Sequence, residues 1–332
     1  MKISDKLNIS KIYPYIQDLK QHLGREVELI VKVASKRLQI SKDQKKFLLL
    51  TFSDRTGNVR AVDWHNAENN DSFLKIGDVV KVKGKVVYFE DRLQINISRE
   101  PNSISKLEEG EFPSDRFVER TEKDIDLLFA ESLKLISTIK DKDILNLTRT
   151  IFLSMEKEIK HSPAGMRVHH AYIGGLLEHS LTVAKIADYV SKFYNVDRDL
   201  LISGALLHDI GKIREYRVVS TGIEVTTEGE LKGHIIIGIE IVRKFADKLK
   251  IKTEKVIELE HIIASHHGEM EHGSPVLPKT PEAMIIHFIE NMDSKIARFM
   301  DIIKKSEEDK EWSEYDKNLG RRVFLRNNTK GE

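Results

Sequence analysis

The sequence predicts a multi-domain chain, a small N-terminal β-barrel followed by an all-α helical bundle. Three observations carry that reading. The first hundred residues alternate apolar and polar positions, are rich in β-branched side chains and are punctuated by turn signals. From Thr121 onward apolar residues recur at spacings of three and four, the period of a buried helix face. Between them, residues 101–120 include EEGEFPSDRF, are polar and irregular, and read as a linker.

Strands are expected at residues 26–38, 47–52, 59–64, 78–89 and 93–98, with turns at Thr56-Gly57-Asn58, Ile76-Gly77-Asp78 and Glu90-Asp91-Arg92. Five strands in about 75 residues suit a small closed barrel. Residues 65–75 leave room for a short helix or loop. The barrel domain is assigned to residues 1–100 and the helical domain to 121–305. Within the latter, helices are expected at 124–139, 144–159, 170–193, 198–209, 234–249, 253–267 and 281–305, with a hairpin inside 216–233. Residues 306–332 form a basic aromatic tail.

The chain has 332 residues, 40% hydrophobic and 32% charged, a mixture suited to globular domains rather than disorder. It has no cysteine, which excludes disulfides, thiolate metal sites and cysteine nucleophiles, and fits a cytoplasmic protein. Neither a signal peptide nor a spanning segment is expected, so no membrane partner is expected either. The first hundred residues carry a formal charge of +6 and the rest −5. That asymmetry hints at a module for polyanions joined to one that binds cations.

The chemistry concentrates in His179, His208, Asp209, His234, His266, His267 and Asp293. Asp293 shares a helix face with Ile286, Ile289 and Ile296, and no lysine or arginine lies on that face. A lone buried carboxylate costs several kcal/mol on the order-of-magnitude scale for buried charge, and a divalent cation removes that cost. Neutral imidazoles are natural co-ligands. For one histidine, a satisfied core residue is the plainer reading. Seven metal-competent groups on helices of one bundle reverse it.

The order H…HD…H…HH…D, in the contexts LLEHS, ALLHDIGK, GH, ASHHGE and ENMDSK, resembles the HD-domain superfamily of metal-dependent phosphohydrolases. The resemblance implies that His179, His208, Asp209 and Asp293 bind a first ion. Asp209 would then bridge to a second ion held by His234, His266 and His267. Two ions about 3.5–4 Å apart can activate water toward phosphorus and neutralise phosphate charge. Mixed imidazole and carboxylate ligation suits Mn²⁺ foremost, or Fe²⁺, Co²⁺ or Zn²⁺, better than Mg²⁺. Asp209, Lys212, His169 and His170 are the candidate catalytic residues, Lys212 as an ammonium for the phosphate. Glu178 and Glu269 read as solvated glutamates, and His261, His272 and His287 as structural.

The front half resembles an OB-fold, whose open face binds single strands through basic residues and stacking aromatics. Candidate nucleic-acid-binding residues are Arg60, Trp64, Tyr88, Arg92 and Lys83, while Phe47 and Phe52 are expected in the core. The two halves together, with HHAYIGGLLEHS and the closing WSEYDKNLGRRVF, resemble the YhaM-type 3′–5′ exoribonuclease family. That implies single-stranded RNA shortened from its 3′ end to nucleoside 5′-monophosphates, with single-stranded DNA as a second candidate. Two other functions fit parts of the pattern: an HD phosphodiesterase acting on a cyclic dinucleotide or nucleotide, and a non-catalytic single-strand binding protein. The first lacks a GYP tripeptide, and the second leaves the intact ligand set without a purpose. Trp312, Tyr315 and Phe324 in the tail suggest a homo-oligomer.

Overall fold

A computed structural model describes residues 13–100, 102–113, 116–166, 171–252, 254–306 and 310–325. The chain divides into two units, Met1–Glu119 with Val219–Gly222, and Arg120–Val218 with Ile223–Glu332.

The first unit is an OB-fold barrel of β1 (Glu26–Ile40), β2 (Lys46–Asp54), β3 (Gly57–Asp63), β4 (Val79–Phe89) and β5 (Arg92–Ile97). The strand order is β1-β2-β3-β5-β4, and β1 pairs again with β4 to close the ring. β1 can serve both neighbours because it is 15 residues long. Its first half pairs with β4, and its second half, bent by an irregularity between Val33 and Ser35, pairs with β2. Val27, Leu29, Val31 and Val33 alternate inward to meet Leu48, Leu50, Phe52, Val82, Val86 and Ile95. The interval after β3 holds α1 (Ala67–Phe73), and Ala67 and Leu74 join the same core, as do Ile16 and Leu19 of a 3-10 helix at Ile16–His22.

The stretch expected as a linker is instead largely built into this unit. Residues Ile104–Lys106 form β6, antiparallel to β4. Phe112 buries Ile30 and Val79, which face outward from β1 and β4 and need cover. Arg116 is buried; its guanidinium donates to the carbonyls of Ile30 at 2.6 Å, Tyr13 at 3.0 Å and Pro14. Polar composition misleads here because a buried arginine is stable once its donors are satisfied.

The second unit is helical: α2 (Ile125–Ile136), α3 (Lys142–Ser154), α4 (Glu156–His161), α5 (Gly175–Val190), α6 (Arg198–Leu207), α7 (Lys212–Glu215), α8 (Thr227–Lys248), α9 (Glu254–Ser265) and α10 (Pro281–Lys305). Asp124, Asp141 and Asp197 accept backbone N–H groups at the starts of α2, α3 and α6, and Thr280 does so before Pro281 of α10. α6 is buried along Leu200–Leu207 and α5 presents Leu177, Leu181, Val183 and Ala184 to the same core. The hairpin of β7 (Tyr216–Val219) and β8 (Gly222–Val225) separates α7 from α8. The tail is folded as far as it is described. Trp312 bridges Phe324, Val323 and Leu325 are buried, and Asp316 takes a salt bridge from Arg298 of α10. Among the described residues no helix is long and apolar enough to cross a membrane.

Candidate functional site

Five local devices aim the site residues inward. His179 sits in the buried stretch of α5, and His208 is the C-terminal cap of α6 with Asp209 directly after it. His266 and His267 follow α9, and Asp293 lies within α10. His234 depends on glycine. Gly233 adopts φ 70°, ψ 159° and breaks α8, so His234 begins the second half of that helix. Gly211 lets the Asp209 turn approach: a Cβ there would lie 1.9 Å from the His234 carbonyl oxygen.

Four of the histidines have Nδ1 engaged, which leaves Nε2 for the interior. Nδ1 donates to the Ala205 carbonyl in His208 and to the Ile263 carbonyl in His266, both at 2.8 Å. In His179 it faces Asp293 Oδ2 at 2.7 Å, and in His234 it faces Glu215 Oε1 at 3.3 Å. The ligand atoms gather into two groups, His179–His208–Asp209 and His234–His266–His267, each within 4.8 Å. Asp209 stands between them. Its Oδ2 is 3.4 Å from His208 Nε2 and 3.8 Å from His179 Nε2. Its Oδ1 is 3.6 Å from His234 Nε2 and 3.5 Å from His266 Nε2.

These residues fit a metal pair. Asp209 Oδ1, His234 Nε2 and His266 Nε2 are buried with no hydrogen-bond partner. Each such orphan costs roughly 1–3 kcal/mol, a cost that a shared cation removes. Burial lowers His179 to about 4 and holds His266 well below its usual range, so both rings are neutral and lone-pair donors at pH 7. Burial alone would raise Asp209, but the Lys212 ammonium and His208 beside it hold its carboxyl well below the usual value.

The other expected residues are placed as follows. Asp293 is not among the residues of either group; its Oδ2 lies 2.7 Å from His179 Nδ1. Lys212 is buried, with Nζ 2.6 Å from Asp209 Oδ2. His169 and His170 lie outside the described residues. Glu178 is not a solvated side chain: it accepts from Thr121 at 2.6 Å and Tyr172 at 2.9 Å, and pairs with Lys123 at 2.8 Å. His287 is structural, its Nδ1 3.0 Å from the His266 carbonyl oxygen.

On the barrel, Arg60 lies on the outward row of β3 and Trp64 continues it just past the strand. Trp64 is 47% exposed and stacks on Phe47 at 4.5 Å. Phe47 is therefore an outward stacking residue, not a core one; Phe52 is fully buried as expected. Arg60 lies 5.8 Å from the centre of the Phe89 ring, and Phe89 is the register partner of Arg92. Tyr88 has the opposite strand parity, opposite Leu93, and Lys83 is tied to Glu26 and Glu100. The structure thus brings Arg60, Trp64 and Arg92 onto one face with Phe47 and Phe89, gives Tyr88 the opposite parity, and engages Lys83 with two carboxylates.

Known proteins match both units. Residues 176–295 fit the HD domain model, and residues 27–100 fit that of an OB-fold nucleic acid binding domain. The 3′-5′ exoribonuclease YhaM of Bacillus subtilis is 33% identical over 82% of this chain and 86% of its own length. The proteins of that name from Listeria welshimeri and Listeria innocua are each 33% identical, over 91% and 92% of this chain and 95% and 96% of theirs. The chain belongs to the YhaM family. As a YhaM-family protein it is a hydrolase with a metal-dependent HD domain.

Two acidic residues of this YhaM-family site carry no sequence signal in the motif. Glu215, at the end of α7, is buried against His234. Glu290, one turn before Asp293, is pushed up to about 7 by burial and by the charge of Asp209. A carboxylate beside a motif histidine is readable only after the chain is folded.

Proposed function

We propose that this YhaM-family hydrolase shortens single-stranded RNA from its 3′ end, releasing nucleoside 5′-monophosphates, and accepts single-stranded DNA as a second substrate. One observation carries the chemistry: Asp209 presents one oxygen to each of two histidine groups. His179, His208 and Asp293 with Asp209 would hold one ion, and His234, His266 and His267 with Asp209 the other, Mn²⁺ being the preferred metal. Bound there, two such ions would lower the pKa of an attacking water and neutralise phosphate charge. The chain's own part is to keep the His179 and His266 imidazoles neutral by burial and to fix the His208 and His266 rings through Nδ1. Lys212 supplies a fixed ammonium beside the carboxylate. The strand itself would be held by stacking on Trp64 and Phe47 and by the guanidinium groups of Arg60 and Arg92. Exposed Trp312, Tyr315 and Phe324 support self-association, which sedimentation equilibrium would show as a mass above that of one chain.

The test is product analysis with a 5′-labelled single-stranded RNA and MnCl₂. A ladder of labelled products shortened stepwise, with nucleoside 5′-monophosphates, is expected. Untouched RNA together with linearised cyclic dinucleotide would sink the proposal. Trp64→Ala is expected to weaken RNA binding by about 5- to 150-fold, the equivalent of ~1–3 kcal/mol for one stacked base. KM should rise and kcat change little, because Trp64 is exposed on the barrel and not among the site histidines. A fall in kcat at unchanged KM contradicts that assignment.

A further inference from the structure

We infer that Glu215 is the positioning residue for the second ion, fixing His234 so that its Nε2 faces Asp209 and the His266–His267 pair. The inference rests on the ligand reading above and adds a residue outside the motif. His208 and His266 are held by backbone carbonyls of their own helices, three residues back. His234 has no such carbonyl, because the break at Gly233 interrupts its helix directly before it. Glu215 substitutes for that turn. Its Oε1 accepts from the His234 backbone N–H at 3.1 Å and faces Nδ1 at 3.3 Å, while Oε2 lies 3.2 Å from the same nitrogen.

One carboxylate therefore does two things. It caps the N-terminus of the second half of α8, where negative charge is favourable. It also holds the proton on Nδ1, which leaves Nε2 as a bare lone pair and makes it a stronger donor. Glu215 is itself anchored: its backbone carbonyl accepts from Thr226 at 2.8 Å. Nε2 of His234 is buried, lacks a hydrogen-bond partner, and points toward Asp209 Oδ1 at 3.6 Å. A side chain that only capped a helix would not need that alignment.

The experiment titrates MnCl₂ into the full-length protein, following heat by calorimetry and the electron paramagnetic resonance of bound Mn²⁺. In Glu215→Ala the second Mn²⁺ is expected to bind about 10- to 100-fold more weakly, with the first ion's affinity kept, as for other orienting partners of metal-bound histidines. The signal of a coupled pair should give way to that of an isolated ion. Glu215→Gln retains an acceptor for both N–H groups without the charge, so the second-ion affinity should lie between that of Glu215→Ala and the parent. Parent-like affinity for both ions in Glu215→Ala overturns the inference. Should that variant not fold, parent-like affinity in Glu215→Gln overturns it equally. His234→Ala separates the two levels: it should lose one ion, and if it keeps both, the ligand reading has failed along with this inference.

Discussion

Asp209→Asn is expected to lower kcat on single-stranded RNA by about 10³-fold or more, a loss on the scale of removing an electrostatic anchor from a hydrolytic site. The substitution preserves shape, so the loss comes from chemistry. The two oxygens of Asp209 face opposite ways, Oδ1 toward His234 and His266 and Oδ2 toward His179, His208 and Lys212. An amide can offer an oxygen to one side only, and its NH₂ group then faces the other. Metal analysis should fall from two Mn²⁺ per chain to one or none, in parallel with turnover. The buried Lys212 ammonium also loses its carboxylate, which costs about 3 kcal/mol when one partner of a buried pair is removed. Single-turnover rates and inductively coupled plasma counts check this. Parent-like turnover with two ions bound would falsify the bridging role.

Metal loading should stabilise the helical unit strongly and leave the barrel unchanged. An ion that binds only the folded state stabilises by about 3 kcal/mol at a hundredfold excess over Kd. Two ions give about 5 kcal/mol, and for a unit of this size that shifts Tm by about 10–20 °C. The cause is local: the orphaned Asp209 Oδ1, His234 Nε2 and His266 Nε2 all lie in the helical unit, and the barrel core has no part in them. Differential scanning calorimetry with Mn²⁺ and with excess chelator is the measurement, and the chelated protein should have no nuclease activity. A barrel transition that moves as far as the helical one contradicts the assignment.

The site's seven-residue order is legible in sequence because each member sits in a short local motif and most share a face with apolar residues. The capping aspartates before α2, α3 and α6 and the Thr280-Pro281 start of α10 likewise act within one turn. Glu215 is not. Its partner is 19 residues away across a hairpin, and the contact exists only because Gly233 breaks a helix. Phe47 is misread for a different reason. In FLLLTF every residue but Thr51 is apolar, so alternation is hard to see, yet Leu48, Leu50 and Phe52 face in while Phe47 faces out to Trp64. Asp293 is legible as a buried acid, but its approach to the His179 ring nitrogen is set by side-chain geometry across two helices.

The guanidinium of Arg116 limits how the barrel can be dissected. A fragment stopping at residue 100, the boundary that composition suggests, would shed β6, uncover Ile30 and Val79, and strip three carbonyls of their donor. Stopping at Glu119 keeps all of these, so a recombinant nucleic-acid-binding half should be cut there, nineteen residues later than the turn chemistry alone would advise.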